Sequence, residues 1–146
     1  MLKKLAKYLR ALGYDTIFDE NLSDQDLQDI SVKENRMLLT RDGALENDTP
    51  DSHVIYVKPI EPEDQLAFLA SKLPLTFEEQ VFMTRCLECN SALQTLQRSE
   101  LTKRVPTRVY RRHDTFYRCP TCKQIFWHGD HVKRLHAKLT RLLEAA

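Results

Sequence analysis

Four cysteines fall in two pairs, Cys86-Leu87-Glu88-Cys89 and Cys119-Pro120-Thr121-Cys122, each with two residues between the thiols. That spacing lets one tight turn aim two thiolates at the same ion, and two such knuckles complete a tetrahedral zinc site with Zn–S distances of about 2.3 Å. The readings weighed against it are disulfides and a redox dithiol; a cytosolic chain seldom keeps disulfides, and neither pair has a strand-to-helix redox context. No cysteine is left over, so the expected site is closed and serves the fold rather than chemistry. The second set is carboxylates. In MLLTRDGAL, residues 37–45, Asp42 follows an apolar run directly; Asp19 and Glu20 follow another, and Asp24 and Asp26 sit where a helix should begin. Acids gathered on one rim are costly unless a cation neutralises them, and hard oxygen ligands suit Mg²⁺ or Mn²⁺, ions that activate water and stabilise a leaving oxygen in phosphodiester cleavage. For Asp26 the capping role in the first helical turn is preferred to ligation.

These side chains need elements to hold them. Leu2, Leu5, Ala6, Leu9 and Leu12 recur at helical spacing, with Gly13 as a stop. Thr16, Ile17 and Phe18 read as a short strand, and Ser23 with Asp26 forms a capping box before a helix ending near Asn35. Met37 to Thr40 and Val54 to Val57 read as strands, and Pro62 opens a helix running through Leu66, Leu69 and Leu73. Strands that are apolar without alternation belong to a sheet covered on both faces, so the order implies an α/β fold with a mainly parallel, three-layer sheet. In such a sheet ligands bind outside the carboxyl ends of the strands, where Asp42 and Asp19 lie. Residues 74–84 read as a linker. Beyond it come short β-like runs at Val109-Tyr110, 115–117 and 125–127, and a last helix from Gly129 with Val132, Leu135, Leu139 and Leu142 on one face. The boundaries expected are 1–77 for the first unit and 84–146 for the second.

Composition excludes several classes. With three glycines, none adjacent, neither a P-loop nor a dinucleotide-binding turn can be built. No apolar stretch approaches the roughly 18 residues of a spanning helix, and the lysine-bearing amino terminus lacks a signal-peptide core, so a soluble, cytoplasmic protein is expected. The net charge of +1 conceals an asymmetry. Residues 1–84 hold nine Lys/Arg against sixteen Asp/Glu, and residues 85–146 hold thirteen against five. One half is suited to collecting cations and the other a polyanion, although two solvated faces account for the same counts. Arg98, Lys103, Arg104, Arg108, Arg111, Arg112 and Arg118 alternate with Val105, Val109, Tyr110, Phe116 and Tyr117, a pattern that fits a nucleic-acid face or an ordinary charged edge. The five histidines read as surface residues, with His113-Asp114 the one pair placed for chemistry.

Taken in order, MLKKLAKYLRALGYDTIFDENLSDQDL, RMLLTRDGAL, RCLECN, RVP, HDTFYRCPTC and IFWHGDH resemble the Mut7-C ribonuclease family, whose members join a PIN-like nuclease domain to a carboxy-terminal zinc ribbon. The likeness covers nearly the whole chain. It implies a PIN-type α/β/α sheet, then a small zinc ribbon and a C-terminal helix. It also implies Mg²⁺- or Mn²⁺-dependent cleavage of RNA, with acidic ligands mapping to Asp42 in T-R-D, Asp24 in S-D-x-x-L, and Asp19 as a third. Zinc would be held by Cys86, Cys89, Cys119 and Cys122, and RNA is the partner expected, with a homo-oligomer or protein partner left open.

The resemblance also implies a central strand ending in an aspartate just ahead of the segment that starts at Met1, and this sequence begins after it. Either translation starts upstream, or the chain is an inactive relative that binds RNA or a protein without cutting. An intact sheet would need the backbone bonds of that strand replaced, because buried unpaired amides are expensive.

Overall fold

A computed structural model describes residues 2–45, 53–101 and 104–145. The first helix, α1 (Lys3–Ala11), buries Leu5, Tyr8 and Leu9 on one face and ends where Gly13 takes a left-handed φ of +98°. A side chain there would be strained in the backbone, and its Cβ would also lie 2.9 Å from Val81. The second helix, α2 (Asp24–Lys33), begins in the expected capping box: Ser23 Oγ accepts from the Asp26 amide at 3.1 Å, and Asp26 Oδ2 accepts from the Ser23 amide at 3.0 Å. These bonds hold the Asp26 carboxyl below its ordinary range, which accords with its capping role.

A short parallel sheet follows, β1 (Leu38–Thr40) beside β2 (Val54–Tyr56), with Leu39 opposite Ile55. The next helix, α3 (Pro62–Lys72), starts with proline and two acids in its first turn, which suits the amide-rich end of a helix. The fold class is therefore mixed α/β with a small parallel sheet. Residues 16–18 form no strand: the backbone groups of Ile17 and Phe18 have no hydrogen-bond partner among the described residues, and Ile17 stands 38% exposed. Thr16, Ile17 and Phe18 supply a strand's composition but not the neighbouring edge that a strand requires.

The carboxy-terminal half holds a three-stranded antiparallel sheet, β3 (Gln94–Leu96), β4 (Phe116–Arg118) and β5 (Ile125–Phe126), with β4 in the middle. Between β3 and β4 the expected strand at Val109-Tyr110 is helical instead, α4 (Thr107–Arg112). Pro106 ahead of it fixes φ and needs no donor, and the exposed arginines gain nothing from a sheet. The last helix, α5 (Asp130–Glu144), sends Val132 and Leu139 into the same core as Leu5, Leu9 and Leu69. A second, smaller core forms from Leu96, Leu101 and Phe116. Residues 74–84 are tied back to the first helix, with the Met83 amide donating to the Ala11 carbonyl at 2.8 Å. No helix among the described residues is long and apolar enough to cross a membrane.

Candidate metal centre and acidic cleft

The two cysteine knuckles are built alike. The Asn90 amide donates to the Cys86 carbonyl at 2.9 Å and the Lys123 amide to the Cys119 carbonyl at 3.0 Å. Each turn closes on a residue with positive φ, 68° at Asn90 and 65° at Lys123. A second bond seals each base: the Cys86 amide donates to the Ser91 carbonyl at 2.9 Å, and the Cys119 amide to the Gln124 carbonyl at 3.0 Å. The result gathers all four Sγ atoms within 4.8 Å of one another, with Cys86 and Cys122 3.8 Å apart. A tetrahedron of thiolates at about 2.3 Å from zinc has edges of about 3.8 Å, so the donor set and spacing fit zinc. Cys86 and Cys119 are fully buried, and each knuckle sits at one end of the antiparallel sheet.

The thiols are unequal before metal arrives. Burial, with the neighbouring sulfurs, pushes Cys89 up to about 12, and burial likewise raises Cys86. At Cys119 burial again opposes ionisation, but the amides of Cys122 and Thr121 and the adjacent thiols outweigh it and bring the group down to about 6.

The sequence-derived acids occupy different surroundings. Asp42 lies two residues beyond β1 and is exposed, with its amide bonded to Thr40 Oγ1 at 3.0 Å and its Oδ1 accepting from the Ala44 amide at 2.9 Å. Its neighbour Arg41 fixes the backbone there: one guanidinium nitrogen reaches the carbonyls of Val57 at 2.8 Å and Pro59 at 2.9 Å, and that of Lys58 between them. Asp19 accepts from the Asn21 amide at 2.9 Å, closing a turn, while Asp24 stands in the first turn of α2. Among the described residues, the cysteines are the one group of three or more potential ligands close enough to hold an ion. Asp19, Asp24 and Asp42 do not form such a group.

Asp19 and Asp24 do share one cleft of about 630 Å³, which runs between α1, residues 14–20, α2 and the free edge of β1. Its walls are largely apolar, from Leu5 and Leu9 through Ile17, Leu27 and Ile30 to Leu39, and its polar lining includes the two acids together with Thr40 and Arg41. The ladder to β2 uses Leu38, whose amide donates to the His53 carbonyl at 2.6 Å, and Thr40, whose carbonyl takes the Val57 amide at 2.7 Å. Alternation along a parallel strand therefore turns the amide and carbonyl of Leu39 toward the cleft.

Of the basic residues expected on one face, Arg108, Arg111 and Arg112 stand on α4 and Arg118 on β4, while Lys103 lies outside the described residues. Arg104, Arg108, Arg111 and Arg112 are exposed without an ion pair among the described residues, whereas Arg98 lies 4.2 Å over the Tyr110 ring and pairs with Asp114 at 3.1 Å. Phe116 is fully buried and Tyr117 stacks on His128 at 5.5 Å, so the expected aromatic stacking surface on β4 is largely spent inside the protein. Burial, with His113 nearby, lowers the His128 imidazole below its ordinary range. Sequence reasoning missed Arg10, a residue 5% exposed within the basic α1, whose guanidinium serves three carbonyls between α1 and the first knuckle. Its spacing, one turn after Ala6 and next to Leu9, was the available signal.

A family model described as Mut7-C RNAse domain matches residues 1–139. No curated protein and no solved structure matches the chain.

Proposed function

The chain belongs to the Mut7-C RNAse domain family, and from that premise we propose that it is a divalent-metal-dependent ribonuclease whose carboxy-terminal half is a zinc ribbon. The observation that carries this reading is the family match over residues 1–139. It is supported by Asp19 and Asp24 both lining one cleft, with Asp42 just past the carboxyl end of β1. The reading divides the chain into a PIN-like nuclease unit, 1–77, and a ribbon with its helix, 84–146.

Carboxylate oxygens are the right donor chemistry for Mg²⁺ or Mn²⁺, although the three acids are not drawn together into one ligand set. In this reading Asp42, Asp24 and Asp19 would be the residues to hold one or two such ions, which would supply water activation and charge neutralisation for cleavage of an RNA phosphodiester. Arg41 holds the backbone under Asp42 through its bonds to three carbonyls. The exposed arginines of α4 engage the RNA phosphates. A PIN-like three-layer sheet asks for one more strand beside β1. The apolar cleft, lined by Leu39 and Ile17 whose backbone groups have no partner across it among the described residues, supports that part of the reading.

The test is Mn²⁺-dependent cleavage of single-stranded RNA by the chain and by Asp42→Asn. The asparagine amide keeps an oxygen that can accept from Ala44, so folding is preserved while the charge is lost. A fall of about 100-fold or more is expected, and equal rates would remove Asp42 from the site. The acids' separation favours a second reading, a non-catalytic module that binds RNA or a protein and rests on zinc for its fold. Binding without cleavage by every form is its expected result.

A further inference from the structure

We infer that Asn90 is a positioning residue through which the metal-loaded cysteine site fixes the backbone leading to Asp19. Asn90 belongs to the first knuckle: it follows Cys89, its amide closes the turn on the Cys86 carbonyl, and its positive φ of 68° is set by that turn. Its side chain reaches out of the knuckle to the other half of the protein. Oδ1 accepts from the Thr16 amide at 2.9 Å and Nδ2 donates to Asp15 Oδ1 at 2.6 Å. From the other side, Arg10 Nε donates to the Thr16 carbonyl at 2.9 Å, while its Nη1 holds the knuckle carbonyls of Leu87 at 2.8 Å and Glu88 at 3.2 Å.

Both backbone groups of Thr16 are thus held by side chains anchored on or in the knuckle. Arg85 fastens the same junction, donating to the carbonyls of Gly13 at 3.2 Å and Asn90 at 2.9 Å. Beyond Thr16, Ile17 and Phe18 have no backbone partner among the described residues before the turn at Asp19. That carboxylate in the cleft lining is therefore approached from two sides, through Thr16 before it and through its own turn after it, where the Leu22 amide donates to the Asp19 carbonyl at 3.2 Å. Metal binding fixes the knuckle because Cys86 and Cys89 must converge on one ion, and a turn so fixed presents Asn90 in one orientation. The zinc site is then more than a fold staple, since its occupancy orders one wall of the acidic cleft. The assignment of Asp19 as a ligand rests on the ribonuclease reading; the ordering of residues 16–18 does not.

Asn90→Gly separates the two. Glycine accepts the positive φ, so the knuckle keeps its turn, while both side-chain bonds are lost. The measurements are zinc content, amide hydrogen exchange at Thr16 against the buried reference amides of Leu9 and Leu69, and Mn²⁺ affinity by water proton relaxation. N90G is expected to retain one zinc and the reference protection, exchange Thr16 about tenfold faster or more, and bind Mn²⁺ several-fold more weakly. Chelation of zinc from the unsubstituted protein, with Leu9 and Leu69 still protected, is expected to release Thr16 in the same way and stands alone if N90G does not fold. Unchanged Thr16 protection in either arm overturns the inference. If the unsubstituted protein binds no Mn²⁺ while Thr16 is released in both arms, the ribonuclease reading fails and the positioning by Asn90 stands.

Discussion

Tyr8, buried on α1, donates its hydroxyl to Glu63 Oε1 at 2.8 Å at the start of α3. Lys138 on α5 reaches the same oxygen at 3.3 Å, so one carboxylate joins three helices drawn from both halves of the chain. The Tyr8 bond, with the Glu63 amide and Lys138, draws the Glu63 carboxyl from 4.5 down to about 2. Because the folded value lies below the unfolded one, the contribution is complete above about 4.5 and is lost as pH falls toward about 2. Asp15, lowered chiefly by its bonds to Arg36 and Asn90, acts with the same sign.

Acid unfolding should therefore steepen below pH 4.5, and Tyr8→Phe should flatten that limb while costing about 1 kcal/mol near neutral pH. Denaturant unfolding above and below that pH checks both. A pH dependence in Tyr8→Phe as steep as in the unsubstituted protein would show that the bond to Glu63 contributes none of it.

The cysteine site makes a second prediction, about metal and protons together. Zinc binds thiolates, so loading must expel protons from the raised thiols of Cys89 and Cys86, whereas Cys119 is already ionised near neutral pH. Affinity should rise with pH by about tenfold per unit for each proton released, as measured by competition with a chromophoric chelator. Cys86→Ser should lose tight zinc binding and lower the melting temperature by about 10 °C or more, since metal binding supplies folding free energy. An unchanged melt with no bound zinc would remove the site's structural role.

Much of this architecture was legible because it is local. The C-x-x-C spacing carries its own geometry, and both knuckles fold as that spacing dictates. The repeat of Leu5, Leu9 and Leu12 specified α1, and Ser23 with Asp26 specified where α2 begins. What failed depended on partners distant in sequence. Thr16, Ile17 and Phe18 have strand composition, yet a strand exists only beside another edge, and the edge across the cleft is that of β1. Val109 and Tyr110 fit either period over so short a run, and the fold settles them as helix. Nothing in the amphipathic pattern of α5 said that Val132 and Leu139 would enter the core of the amino-terminal half. Arg10 was missed despite its spacing, since arginine on a basic helix reads as solvated while its carbonyl partners lie up to 78 positions away.

The third prediction concerns α4 and RNA. Arg111 and Arg112 are exposed and make no ion pair among the described residues, so their charges remain free to meet phosphates, and their removal costs little stability. For single-stranded RNA, log affinity falls against log salt with a slope of about 0.7 for each phosphate that the protein neutralises. The double variant Arg111→Gln, Arg112→Gln should therefore bind with a slope shallower by about 1.4, with weakening of similar size across unrelated sequences. Phosphate oxygens carry no base information, so a sequence-selective loss would assign these arginines to base edges instead. Fluorescence anisotropy over a salt series with two unrelated oligonucleotides separates the outcomes, and an unchanged slope with an unchanged melt would take α4 out of the RNA-binding face.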